Sequence, residues 1–290
     1  MINARMDDRN CVLSCEIFPP KKDSSFPGVL ETVDRIAALD PAFISVTYGA
    51  GGSNSGKQLE ILDYIRNEKG IEALAHITSV GFNREKLDQG LGKYEEKGIA
   101  NVLALRGDRP KDMTDEEFDK REFEHASDMI RYMRSNGKTA DKLCIAGACY
   151  PEKHPEAPDK PTDIFYLKEK QDAGCDMFIS QLFFENTLFY RFLDHAGKNG
   201  ITIPVHAGIM PITDSGQLGR TVTLSGTSVP KKLSDIIAKY GEDPDEMKKA
   251  GIDYAINQAL DLQDNGVHGI HVYAMNKPEL CEALFNALRD

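Results

Sequence analysis

The sequence predicts an α/β chain folded as a (β/α)8 TIM barrel, a single domain over residues 1–290. Three observations predict it. Eight short apolar runs recur, segments of helical periodicity lie between them, and polar residues collect at the C-terminal ends of the runs. Strands alternating with helices pair in parallel through right-handed crossovers, and eight such units close into a barrel of about 250 residues. A doubly wound open sheet is the alternative. No Gly-x-Gly-x-x-Gly follows an early strand, so a Rossmann dinucleotide site has no support.

The runs are 12–18, 43–48, 72–78, 101–106, 143–149, 177–183, 204–210 and 268–273, each of strand length and bounded by Gly, Pro or polar residues. Helical faces are spaced by Val29, Val33, Ile36 and Ala37; by Leu59, Leu62 and Ile65; by Leu87, Leu91 and Tyr94; and by Phe123, Ala126, Met129, Ile130 and Met133. Gly70, Gly98, Gly137, Gly174 and Gly200 fall where such helices stop. Gly49-Ala50-Gly51-Gly52 lacks the Gly-Lys-Ser/Thr of a P-loop, and Gly56-Lys57-Gln58 is a near miss, so this stretch reads as a flexible loop. The charged segment 107–122 reads as a solvated loop or helix face. Residues 211–267 hold more than one helix, Pro230–Tyr240 and roughly Pro244–Asn265, and form an elaborated seventh connection.

The net charge of −11 argues against a nucleic-acid-binding surface. The absence of an apolar signal core or of a run long enough to span a bilayer predicts a cytoplasmic protein. The six cysteines (Cys11, Cys15, Cys144, Cys149, Cys175, Cys281) form no Cys-x-x-Cys pair and read as reduced, mostly buried thiols.

In a barrel, chemistry collects at the C-terminal strand ends. Run one carries Glu16 just before Pro19-Pro20, and two prolines cannot continue a ladder, so the strand ends there. Run two ends at Thr47-Tyr48, run three carries His76 and Thr78, run four gives Arg106-Gly107-Asp108, and run five ends at Tyr150 with His154 beyond. Run six carries Gln181, and run eight ends at Tyr273 and Asn276-Lys277. Each residue has a purely structural alternative. Glu16 suits a solvated edge or an ion pair, His76 and His206 suit satisfied core histidines, and Arg106 with Asp108 suits an ion pair capping the barrel. Zinc chemistry on this fold needs several histidines with a carboxylate, which run one does not offer, so no metal is expected. Acid/base chemistry around a large ligand remains, and that suits a bound organic cofactor performing a redox step.

Glu16-Ile17-Phe18-Pro19-Pro20, Ser45-Val46-Thr47-Tyr48-Gly49-Ala50, Ala104-Leu105-Arg106-Gly107-Asp108, Tyr150-Pro151-Glu152-Lys153-His154-Pro155, Asp172-Ala173-Gly174 and Gln181-Leu182-Phe183-Phe184 resemble the motifs of the methylenetetrahydrofolate reductase family. They come in chain order, and the resemblance runs from about residue 14 to 277. The chain is similar to the short bacterial form without a C-terminal regulatory domain. The resemblance implies an FAD-dependent oxidoreductase of one-carbon metabolism that reduces 5,10-methylenetetrahydrofolate to 5-methyltetrahydrofolate by ping-pong kinetics. Glu16 matches the family's general acid, and Asp108 the residue between flavin and pterin. Thr47, His76, Arg106, Gly107, Asp108, Ala126, Tyr150, His154, Asp163 and Lys170 match positions that line FAD, with Arg106 and Lys170 toward its phosphates. Glu16, Gln181, Gln217, Tyr273 and Lys277 match positions that border the folate.

There are departures. Glu169 stands where an Arg is familiar, His125-Ala126-Ser127 where a Tyr-Ala-Ser is, and Lys277 where an Arg meets the folate's glutamate tail. Thr221 takes the place of a donor-stacking Phe, which leaves the donor open between NADH, NADPH and a partner protein. The alternative function is a flavin- and folate-binding subunit of a larger redox complex. A homo-oligomer is the expected state.

Overall fold

A computed structural model describes residues 1–2, 11–48, 55–109, 113–136 and 141–289. Eight parallel strands close in sequence order into one barrel: β1 (Val12–Ile17), β2 (Phe43–Val46), β3 (Glu72–Thr78), β4 (Asn101–Leu105), β5 (Cys144–Cys149), β6 (Met177–Ser180), β7 (Val205–Ile209) and β8 (Gly269–Tyr273). The expected (β/α)8 barrel is therefore the observed fold. At the mouth, β1, β2, β4, β6 and β7 stop short of their apolar runs. Thr47 N–H still reaches Ile17 O at 3.1 Å and Gln181 N–H reaches Cys149 O at 2.7 Å, but beyond them the chain turns out of the ladder.

The helices are α1 (Phe26–Ala37), α2 (Ser55–Asp63, continued by a π turn over Tyr64–Glu68), α3 (Arg84–Glu96), α4 (Asp115–Asp119), α5 (Ala126–Ser135), α6 (Lys160–Asp172), α7 (Asn186–Lys198), α8 (Ser215–Ser225), α9 (Lys231–Tyr240), α10 (Pro244–Asp264) and α11 (Pro278–Arg289). Gly70, Gly98, Gly174 and Gly200 follow helices with φ of 68°, 68°, 105° and 80°, the left-handed region that glycine enters without steric cost. Gly137 and the Gly49-Ala50-Gly51-Gly52 stretch lie outside the described residues.

Two sequence expectations are corrected. Gly56-Lys57-Gln58 is the first turn of α2 rather than a loop, because Gln58 is fully buried and its amide donates to Val46 O at 3.0 Å and His76 O at 2.9 Å. Phe123 precedes α5 rather than lying on it. The helix begins after His125, whose N–H donates to the Asp128 carboxylate at 2.8 Å, and Phe123 packs beside Tyr132. The seventh connection holds three helices, since α8 precedes the two expected ones.

Alternation sorts the side chains. Leu13, Cys15 and Ile17 face the helices and join the outer core, while Ser14 and Glu16 face the lumen. The lower lumen is filled by Phe43, Leu74, Leu103, Ala146, Met177 and Ile179, and Ile2 plugs it from below with its N–H on Asn101 Oδ1 at 3.0 Å. Beside Phe43 the filling is polar: His271 bonds Ser14 Oγ at 2.8 Å and Ser45 Oγ at 3.3 Å, and His206 is fully buried. All six cysteines are free thiols, five of them buried. Among the described residues no helix is long and apolar enough to cross a membrane.

A third cluster, including Met210, Ile212, Leu233 and Met247, seats α9 and α10 against the loop after β7. There a Cβ on Gly251 would stand 1.8 Å from Ile212 O, whereas one on Gly219 in α8 meets nothing within 4 Å. Gly251→Ala is therefore expected to lower stability in urea melts by about 2 kcal/mol or more. Gly219→Ala should raise it by roughly 0.5–1 kcal/mol, the ordinary helix-interior gain.

Candidate active site

Glu16 sits on β1 in register with Ser45 on β2 and Tyr273 on β8. Its side chain is 20% exposed, and its Oε2 lies 3.3 Å from His76 Nε2. Among the described residues no Lys or Arg reaches it. Burial without a cation pushes the carboxyl up from 4.5 to about 8, so it is protonated at neutral pH. His76 is driven the other way by burial, to about 3, so its imidazole is neutral. Two neutral groups thus face each other at the mouth.

Tyr273 closes this side. Its hydroxyl donates to Ser180 O at 2.7 Å, spanning from β8 to β6 over Gly208 of β7. A Cβ on Gly208 would stand 2.2 Å from Ser180 O and 2.7 Å from the tyrosine ring, so only glycine permits the crossing. Gln181 is half-buried just beyond Ser180. Lys277 Nζ donates to Thr213 Oγ1 at 3.2 Å, and Gln217 in α8 accepts from Thr213 N–H at 3.2 Å. The structure thus brings Gln217 and Lys277 together on the loop after β7.

The opposite side is cationic and aromatic. Arg106 follows β4 and forms a two-pronged pair with Glu156, with Nη2 to Oε1 at 2.7 Å. The alternative of an Arg106–Asp108 cap is not what forms, since Asp108 is exposed. Gly107 has φ of 81°, and a Cβ there would approach Thr78 Cβ to 2.8 Å. Tyr150 and His154 stack edge-to-face at 4.6 Å. His154 Nδ1 accepts from Glu156 N–H at 3.1 Å, and burial, then Arg106, hold the ring neutral. Burial pushes the Tyr150 phenol up to about 12. Burial also raises the Asp163 carboxyl, against Lys170 and the His154 N–H. Lys153, within this turn, has φ of 110°, a rare conformation of the kind found at ligand sites.

Lys170 reaches inward from α6. Its ammonium is buried, donates to Ala148 O, and is lowered by burial. One carbonyl offsets only part of the cost of burying a charge. Arg106, Lys170 and the half-buried aromatics therefore fit a ligand that carries both anionic and aromatic parts, as FAD does. Thr47 lies at the end of β2. Ala126 opens α5, where His125 packs against Tyr166 at 4.6 Å on the outer flank of this cluster. Glu169, the departure from the familiar Arg, turns away to pair with Arg131 at 3.3 Å. Thr221 lies in α8, where its carbonyl accepts from Ser225 Oγ at 2.8 Å. Sequence reading missed Gln58, Ser180, Gly208 and Glu156. The run Tyr-Pro-Glu-Lys-His-Pro-Glu held Glu156, but its partner fifty residues away in the chain has no local signature.

The methylenetetrahydrofolate reductase family model matches residues 1–289. The chain belongs to the methylenetetrahydrofolate reductase family. It is 32% identical to the 5,10-methylenetetrahydrofolate reductase of Pectobacterium carotovorum, over 95% of this chain and 89% of that protein. It is also 32% identical to methylenetetrahydrofolate reductase (NADH) 1 of Arabidopsis thaliana, over 91% of this chain but 46% of that one, so it spans less than half of the plant relative. Among solved structures, an uncharacterised Clostridium thermocellum protein that binds two copies of 5-methyl-5,6,7,8-tetrahydrofolic acid aligns over 100% of this chain and 98% of its own. Its TM-score is 0.65 at 15% identity, a likeness of fold.

The raised Glu16 carboxyl has a consequence for stability. Between pH 4.5 and about 8 the folded state keeps a proton that the unfolded state has lost, so stability falls as pH rises through that window. Discounted for partial exposure, the loss is about 2–4 kcal/mol. Denaturant melts of Glu16→Gln should match the parent near pH 4.5 and exceed it by that amount above pH 8.

Proposed function

We propose that this chain is an FAD-dependent methylenetetrahydrofolate reductase barrel, with Glu16 as general acid. The observation that carries the proposal is a carboxyl held protonated at neutral pH, without a cation, at the C-terminal strand ends. A general acid must hold its proton near working pH, and burial arranges that here. The family membership and the Pectobacterium relative's activity support the substrate. That the Clostridium protein, alike in fold, binds a folate supports a folate ligand for this barrel.

Glu16 gives its proton to a folate nitrogen and opens the one-carbon bridge to an iminium carbon. The O–H bond and one bridging C–N bond break, an N–H bond forms, the negative charge stays on the carboxylate and the positive charge on the iminium. Bound at the cationic side, held there by Arg106 and Lys170, FAD would supply the hydride chemistry. Arg106 and Lys170 hold its phosphates, so Glu156 must release Arg106 when a phosphate takes its place. Tyr150, His154, Asp163, Thr47, Gly107 and Ala126 line it. Asp108, exposed at the end of β4, hydrogen-bonds the pterin and favours the cationic iminium, and Gln181 takes the pterin edge. Tyr273 walls the folate opposite β6, and Gln217 and Lys277 meet its ring and tail. The donor is NADH, NADPH or a partner protein; Thr221, small where a stacking Phe is familiar, favours the partner-fed reading.

The purified protein should be yellow with bound flavin. In anaerobic stopped flow, Glu16→Gln should keep flavin reduction by its donor yet lose folate reduction by about a hundredfold or more. Folate reduction at near-parental rate would remove Glu16 as the acid. Asp108→Asn should weaken folate binding and slow its reduction. If NADH and NADPH both fail to bleach the flavin while dithionite-reduced protein still reduces methylenetetrahydrofolate, electrons come from a partner.

A further inference from the structure

His76 Nε2 is buried and has no hydrogen-bond partner, although it stands 3.3 Å from Glu16 Oε2. Buried polar atoms in native structures almost always find a partner, so an orphan at the foot of the candidate acid calls for a reason. The imidazole is not loose. It is 6% exposed, and its strand is pinned where Gln58 donates to His76 O at 2.9 Å, with Gln58 held in turn by the Tyr94 hydroxyl at 2.9 Å.

We propose that His76 is a positioning residue for Glu16: its Nε2–H is unpartnered while Glu16 is protonated and becomes the donor to Oε2 once the proton has left for the substrate. The inference rests on Glu16 as the proton donor. A donor held 3.3 Å from the place where negative charge develops lowers the cost of that charge after only a small turn of ring or carboxyl brings the two into line. A neutral imidazole suits the task because an imidazolium would form an ion pair and strip the proton from Glu16 before substrate arrived. The other titratable groups beside the pair are His271 and Tyr273 on β8, with Cys15 on β1 turned outward to the helices. None ionises near neutrality: burial holds Tyr273 and Cys15 well above their ordinary values and His271 well below. The pair therefore exchanges its proton in isolation from the cationic side of the mouth.

The opposite arrangement, with Nε2 as a lone-pair acceptor of the Glu16 proton, makes the opposite prediction. A donor to the carboxylate favours ionisation, so losing it raises the acid's midpoint; an acceptor favours the neutral form, so losing it lowers the midpoint. The test follows the carbonyl stretch of the protonated Glu16 carboxyl by infrared difference spectroscopy across pH, assigned by its absence in Glu16→Gln. His76→Leu removes the donor, and His76→Gln keeps an N–H at similar reach. The midpoint is expected to rise by about one pH unit in His76→Leu, a tenfold change in ionisation constant, and to stay near the parent in His76→Gln. The folate half-reaction should slow by roughly tenfold or more in His76→Leu and recover in His76→Gln. An unmoved or lowered midpoint in His76→Leu, or a Gln variant that behaves like Leu, overturns the assignment. The infrared midpoint reports on His76 even if Glu16→Gln were to retain folate reduction, so failure of the functional reading is seen separately.

Discussion

Everything at the mouth depends on one carboxyl that is buried without a cation. The barrel contains an internal contrast that shows why this is a choice of environment. Glu72, at the N-terminal end of β3, also turns inward, but it meets the Met1 amino group at 3.3 Å, Arg66 at 3.0 Å and the Asn101 amide at 2.9 Å. Those partners outweigh burial and hold its carboxyl low. Glu16, at the other end of the same lumen, has only a neutral imidazole beside it, and burial wins. The same side chain is a structural ion at the floor and a proton store at the rim.

Charge is segregated around that rim. The acid and its neutral neighbours occupy β1, β3 and β8, where the nearby Lys277 is held by Thr213, while Arg106 follows β4 and Lys170 comes from α6. An anionic ligand bound on the second side would keep its charge away from the Glu16 carboxyl. At an effective dielectric of about 20, a cation 4 Å from a carboxylate is worth roughly 4 kcal/mol, enough to cancel the burial effect on Glu16. Arg106 is bound by Glu156 instead, and Lys170 is screened behind β5 by the Ala148 carbonyl.

Much of this was legible in the sequence, because it is local. Apolar runs of strand length, glycines after helices and polar residues at run ends gave the barrel and its mouth, and the double proline marked where β1 stops. What was hidden depends on partners far along the chain. Gln58 followed a glycine-rich stretch and looked like loop, yet it closes a helix turn because two strand carbonyls, Val46 and His76, need its amide. Tyr273 reaching Ser180 over Gly208 joins three strands, and no spacing rule encodes that contact. His76 matched a cofactor-lining position, and only the 3.3 Å approach of its Nε2 to Glu16 Oε2 across two strands shows that it faces the acid.

The strand that carries Glu16 ends in residues that cannot hold it by ordinary pairing. Pro19 and Pro20 have no N–H, so β1 cannot continue its ladder with β8. A side chain takes over. After Ala274 N–H reaches Glu16 O at 3.2 Å, the Asn276 amide accepts from Phe18 N–H at 2.9 Å and donates to Phe18 O at 2.8 Å, imitating the next rung. To present that amide, Met275 and Asn276 adopt left-handed backbone, φ of 52° and 54°, which asparagine tolerates better than most residues. On the other edge, Thr47 N–H holds Ile17 O. The acid is thus followed by two clamps, one and two residues after it on the same short strand end. The left-handed backbone after β8 thus lies in the very loop that fixes the end of β1 and with it the position of Glu16.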